Sequence, residues 1–155
     1  MKVTLYNRQK DLKISSSSVK SCIRFILRIY DVFCDEVIIH LITNEKMCDF
    51  HLEFFNDPTP TDCISFPLDS PYQTSPPCSV LGEILVCPHA AVVYAKKNHK
   101  DPYRETLLYI IHGILHLLGY DDLTPKERMQ MRRQERRVLK LLDEKQLSLK
   151  NCPQK

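Results

Sequence analysis

The chain is 155 residues long, 43% hydrophobic and 26% charged, with no tryptophan, three glycines and a net charge of +3. That balance fits one soluble domain around one core and excludes disordered and collagen-like chains. The longest apolar run, Leu107 to Leu118, is interrupted by two histidines and is too short to span a membrane.

The first residues carry no apolar stretch with a small-residue cleavage site, so a cytoplasmic location is expected. Val3–Tyr6 reads as a short strand. Ser15–Ser18 is helix-start chemistry, and Val19, Ile23, Ile26, Leu27 and Tyr30 then follow a helical period. Glu36–Thr43 is rich in β-branched residues and predicts a strand, after which Asn44 can cap a helix running to about Phe55. Asp57-Pro58-Thr59-Pro60 breaks that helix, and Asp62–Phe66 predicts another strand.

Residues 67–80, with four prolines, predict an irregular loop or hairpin tip, followed by a buried strand at Ile84–Cys87. Pro88 suits the first turn of a helix to about Lys97, and Pro102 opens a long apolar helix that ends at Gly119. Thr124-Pro125, with Glu127 three residues on, opens the last helix, and a loose tail is expected from about 148. The alternation predicts a single α/β or α+β layer domain over 1–155.

Seven cysteines at 22, 34, 48, 63, 78, 87 and 152 include no C-x-x-C pair. A disulfide framework or a cysteine-only zinc knuckle is therefore not expected, and Cys22, Cys48 and Cys63 read as small core hydrophobes. Charge is unevenly spread, with a net +6 over residues 126–155 and −3 before them. On the last helix Arg128, Arg132, Arg136 and Lys140 step by four along one face. That face is either solvated, with Glu127 and Glu135 as partners, or a phosphate-binding stripe.

All three glycines, Gly82, Gly113 and Gly119, lie in one quarter of the chain, which holds the segment His112-Gly113-Ile114-Leu115-His116-Leu117-Leu118-Gly119-Tyr120-Asp121-Asp122. Residues four apart stack on one helix face, so His112 and His116 can converge on one metal ion. A left-handed Gly119 would end the helix and let Asp122 swing back as third ligand, with Asp121 one residue short in spacing. The pattern H-x-x-x-H-x-x-G-x-x-D has the metzincin spacing, and three protein ligands leave one position of a tetrahedral ion open. A zinc peptidase places glutamate directly after the first histidine as general base. Gly113 stands there, which removes the base and should clear space beside the metal. His40, His51, His89 and His99 lack ligand spacing and read as structural.

The same segment resembles the signature H-G-x-L-H-L-x-G-Y-D-H of the YbeY family of metal-dependent endoribonucleases, differing at the last position. Pro60-Thr61-Asp62-Cys63-Ile64-Ser65-Phe66-Pro67 is similar to that family's P-T-D-V-L-S-F-P block, and Leu81-Gly82-Glu83-Ile84 to its L-G-D-I block. The resemblance runs from the first helix to the last. It implies an α+β fold with a small mixed sheet packed with about five helices, the central apolar helix carrying the metal ligands. It further implies one zinc ion held by three histidines, His112 and His116 here with Asp122 in the third place. The implied activity is cleavage of single-stranded ribosomal RNA, including maturation of the small-subunit 3′ end, and ribosome quality control on the small ribosomal subunit.

The family usually carries an arginine six residues before the P-T-D threonine, and this sequence has Phe55 there. Phe55 either stacks on a base, with Arg132 or Arg136 engaging the phosphates, or is a core or cleft-lining residue. Thr61 and Ser65 can stand in the cleft, but their hydroxyls are expected to satisfy backbone groups at a strand end. No side chain is assigned as general base. Two alternatives to the nuclease stay open: a ribosome-assembly factor with a structural metal, and a small metallopeptidase.

Overall fold

The computed structural model describes residues 1–152. Its elements in chain order are β1 (Lys2–Asn7), α1 (Ser16–Ile29), β2 (Cys34–Leu41), α2 (Asn44–Phe55), β3 (Cys63–Pro67), β4 (Cys78–Val86), α3 (Pro88–Asn98), α4 (Pro102–Leu117) and α5 (Pro125–Glu144). One mixed sheet has the order β1-β2-β4-β3, with β1, β2 and β4 parallel and the edge strand β3 antiparallel to β4. The fold is therefore α+β, with a small mixed sheet and five helices. No described helix is long and apolar enough to cross a membrane.

Strand alternation divides the core. Val37, Ile39 and Leu41 of β2 and Ile84 and Val86 of β4 turn to one face, where they meet Val19, Ile23 and Ile26 of α1 and Ile110, Ile114 and Leu117 of α4. Ile64 and Leu85, on the opposite face, pack with Met47 of α2 and Cys87 in a smaller cluster. Helix α4, apolar nearly all round, is thus laid on the sheet with little of its surface left open.

Several expectations shift in detail. Thr43, not Asn44, caps α2, its hydroxyl accepting from the Lys46 amide at 3.2 Å. Strand β4 starts at Cys78 rather than near Ile84, because its first residues pair with β2, Cys78 opposite Cys34 and Val80 opposite Glu36. The expectation for cysteine is corrected more substantially: Cys34 and Cys78 form a disulfide. Parallel pairing sets them opposite each other at the start of β2 and β4, an adjacency invisible at a sequence separation of 44. The tail is also not loose from 148, since Leu149 is buried and Lys150 exchanges hydrogen bonds with Ser15 and Ser18 at the start of α1. Residues 153–155 of that expected tail lie outside the described residues.

Candidate metal centre

Helix α4 begins on Asp101, whose carboxylate accepts from the Tyr103 amide at 2.9 Å, with Pro102 in the first turn. Once the helix is seated on the sheet, His112 and His116 emerge one turn apart on its open side. Their rings meet edge to face at 4.6 Å between centroids, and the two Nε2 atoms are 3.0 Å apart.

The helix ends where the sequence places a glycine. The Gly119 amide donates to the His116 carbonyl, the Tyr120 amide to the Leu115 carbonyl, and Gly119 has φ +94°. An L-residue is strained at that angle, so glycine is what lets the chain reverse. The Asp121 carboxylate accepts from the Asp122 amide at 2.9 Å, and Arg128 of α5 donates to the carbonyls of Asp122 and Leu123 at 3.3 and 2.8 Å.

So held, Asp122 places Oδ2 at 3.4 Å from His112 Nε2 and 3.7 Å from His116 Nε2. Bonds of about 2.0–2.1 Å to a tetrahedral ion set neighbouring donors about 3.3–3.4 Å apart. The observed sides of 3.0, 3.4 and 3.7 Å bracket that value, so the three donors match one face of such a tetrahedron. Two imidazole nitrogens and one carboxylate oxygen are a donor set that suits zinc. His112, His116 and Asp122 are brought together, whereas Asp121 lines the neighbouring cleft.

A fourth residue, Glu135 of α5, is not in the sequence reading as part of the site. Its Oε1 lies 2.7 Å from His112 Nδ1. The carboxylate holds the proton on Nδ1 and leaves the Nε2 lone pair facing His116 and Asp122. Burial disfavours the His112 imidazolium, but the hydrogen bond and charge of Glu135, with Asp122 and Asp62 behind them, outweigh it and raise the His112 pKa. One sequence signal does mark Glu135. The buried stripe of α5 runs Met131, Val138, Leu142, and Glu135 occupies the vacant position between the first two.

Gly113 departs from its expected role. A Cβ there would lie 2.5 Å from Ile84 Cγ2 and 2.9 Å from Cys63 Sγ. The residue faces the sheet, and its lack of a side chain brings α4 against β3 and β4 instead of opening room at the metal. Cys63 fills that contact, and burial raises its thiol pKa, so it is a packing group and not a nucleophile. The Ser65 hydroxyl, in the middle of β3 and not at a strand end, donates to the Gly113 carbonyl of α4 at 3.2 Å.

A cleft of about 390 Å³ opens beside His116, lined by Phe55, His51, Thr61, Ser65, Tyr120 and Asp121 among others. Phe55 is 57% exposed and leans on His51 at 5.5 Å between ring centroids, which places it on the cleft wall and outside the core. His51 donates from Nδ1 to the Thr59 carbonyl at 2.7 Å and so belongs to the cleft wall as well. His40 and His89 pair with Glu83 and Asp11, and His99 ends α3. Arg132 and Arg136 lie exposed on the flank of α5 next to Glu135.

The family model described as Endoribonuclease YbeY matches residues 4–143. A Protochlamydia amoebophila protein named endoribonuclease YbeY is 42% identical over 144 residues, covering 93% of this chain and 95% of that protein. The Chlamydia caviae protein of the same name is 39% identical over 148 residues, covering 94% of this chain and 93% of its own length. Among solved structures, a Thermotoga maritima protein determined in solution superposes with a TM-score of 0.65 at 23% identity, covering 94% of this chain and 92% of its own. At that identity the likeness concerns the fold.

Proposed function

The chain belongs to the YbeY endoribonuclease family, and from that starting point we propose that it is a zinc-dependent endoribonuclease acting on single-stranded ribosomal RNA. The observation that carries the reading is the triangle of His112 Nε2, His116 Nε2 and Asp122 Oδ2, next to a cleft that His116 lines. Bound there, zinc supplies Lewis-acid polarisation of a phosphoryl oxygen and a lowered pKa for the attacking water.

The chain's own residues divide the remaining work. Glu135 fixes the tautomer and ring plane of His112. Asp122 contributes a negative donor where the family resemblance places a neutral imidazole, which lowers the net positive charge of the loaded site. Arg128 and Asp121 hold the backbone that presents Asp122. Phe55 offers a face for a base in the cleft, with Arg132 and Arg136 as candidate phosphate contacts. The role is in ribosomal RNA maturation, including the small-subunit 3′ end, and in ribosome quality control, with the small subunit as partner and the cytoplasm as location.

One observation favours a second reading, a ribosome-assembly factor with a structural metal. Among the described residues, no lysine or arginine lines the cleft, so its wall itself offers no cationic side chain to an RNA phosphate. A peptidase lacks its base, and the sheet occupies the space a side chain at 113 would need. Cleavage of a ribosomal RNA precursor separates these readings. Zinc omission and His116→Ala should each abolish it, and unchanged cleavage by metal-free protein overturns the nuclease mechanism. Casein turnover without RNA cleavage would point to the peptidase.

A further inference from the structure

Helix α3 has two apolar faces. Ala91 and Ala95 are buried in the fold, whereas Ala90, Val93, Tyr94 and Lys97, spaced as one helical stripe, line a second groove. Val93 is 53% and Tyr94 45% exposed, so no described part of the chain covers that stripe. The groove encloses about 580 Å³, within the roughly 300–1,000 Å³ usual for sites that hold small molecules or cofactors. Its other walls come from Pro60, Thr61 and Asp62 ahead of β3, Asn44 at the start of α2 and Tyr109 of α4.

Two features join this groove to the cleft beside His116. Thr61 lines both. Tyr109 precedes His112 by three residues and His116 by seven, so all three share one stripe of α4. Along the helix axis Tyr109 stands about 4.5 Å before His112. A strand laid across the candidate metal ligands and continuing toward the start of α4 therefore enters the groove.

The lining divides into parts that suit the parts of a nucleotide. Ala90, Val93 and Tyr94 give an apolar wall, fit for a base and unfit for a phosphate. His89 is tied by Nδ1 to Asp11 at 3.1 Å, but Asn44, Asp62, Lys97 and Tyr109 have no side-chain hydrogen bond or ion pair to another described residue. Burial first, and then the Asp62 carboxylate, raises the Tyr109 pKa, in keeping with the two lining one groove. An ionised carboxylate only accepts, so Asp62 repels a phosphate and receives the N–H groups of a base. Lys97 lies one turn beyond Val93 and, with Lys96, puts two cations in the last turn of α3. The cleft itself has neither lysine nor arginine among its described lining residues, and these lysines stand where a strand leaving it would pass.

We propose that this groove is a nucleotide subsite for the RNA strand held at the metal cleft: an unpaired base lies against Ala90, Val93 and Tyr94 with its hydrogen-bonding edge toward Asp62 and Asn44, and Lys97 contacts a backbone phosphate. The proposal rests on the reading of the neighbouring cleft as an RNA-cleaving site. A carboxylate acceptor favours bases that carry an amino group, such as cytosine, and disfavours uracil, whose edge presents two carbonyls.

The test is fluorescence anisotropy with labelled oligocytidylate and oligouridylate of equal length, over a range of salt concentrations, alongside cleavage of a ribosomal RNA precursor. The wild-type protein should bind oligocytidylate several-fold more tightly, and Asp62→Ala should abolish that ratio. Tyr94→Ala should weaken binding of both roughly tenfold with an unchanged salt dependence. Lys97→Gln should weaken it and reduce the slope of log K against log salt by about 0.7. All three side chains are exposed, so none of these changes threatens the fold. Equal binding of the two oligonucleotides by the wild type, or wild-type affinity, ratio and slope in all three variants, overturns the subsite even if the precursor is cleaved. A lost ratio in Asp62→Ala with weakened binding in the other two supports it, even if the precursor stays intact and the nuclease reading falls.

Discussion

Glu135 grips Nδ1 of His112 at 2.7 Å from a different helix, 23 residues further along the chain. That contact makes α5 part of the candidate metal centre. Glu135→Ala should lower zinc affinity about 10- to 100-fold with the fold intact, and Glu135→Gln, which keeps an acceptor but loses the charge, should fall between. Competition against a chromophoric chelator measures both. Unchanged affinity in the alanine variant would remove Glu135 from the site.

Asp122 closes the ligand triangle with a carboxylate. Asp122→Asn should bind zinc more weakly, since a neutral amide is a poor donor for this ion, whereas Asp122→His should retain it. Metal content after dialysis and cleavage of a ribosomal RNA precursor, run side by side, separate a binding defect from a catalytic one. Equal zinc retention by the aspartate, asparagine and alanine forms would show that Asp122 is no ligand.

Gly113 faces β-branched Ile84, whose Cγ2 would be 2.5 Å from an added Cβ. A stiff valine-like branch on a central strand cannot swing aside as a long side chain can. Gly113→Ala should therefore destabilise the fold by about 1–3 kcal/mol despite the better helix propensity of alanine. Urea unfolding with an unchanged slope and a lower midpoint would register the loss.

Phe55 lies on the cleft wall, so its truncation should act on RNA and hardly on stability. Phe55→Ala should weaken binding of a single-stranded oligonucleotide roughly tenfold, the loss expected of one stacked base. Arg132→Ala should reduce affinity more as salt falls. Wild-type affinity in both variants would sink the idea that these residues hold the substrate.

The bridge between Cys34 and Cys78 spans a sequence separation of 44. Closing a loop of that size removes unfolded-state entropy worth about 2–4 kcal/mol. Thermal unfolding with reductant, and of the Cys34→Ser variant, should show the midpoint lowered by several degrees. Midpoints indifferent to reductant would mean that the bridge contributes nothing to stability.

What was legible in the sequence followed local rules. The periods of α1 and α4, the Pro102 start, the Gly119 reversal and the Thr124–Glu127 capping box each involve residues a few positions apart, and each appears where expected. The candidate metal ligands belong to the same class, because one helix and one turn bring His112, His116 and Asp122 together. What was hidden depends on the tertiary arrangement. Glu135 reaches the site only through the docking of α5, Cys34 finds Cys78 only through strand register, and Gly113 shows its role only when β3 and β4 are behind it. The end of the chain misled for the same reason: Leu149 has a partner surface that only the folded α1 provides.

Arg128 and Glu135, the clamp on the ligand loop and the support of His112, both lie on the last helix. Domains emerge from the ribosome N-terminus first. The sheet and both histidines are therefore synthesised before the groups that brace them, and a growing chain carries an unbraced centre until its final helix is free to dock.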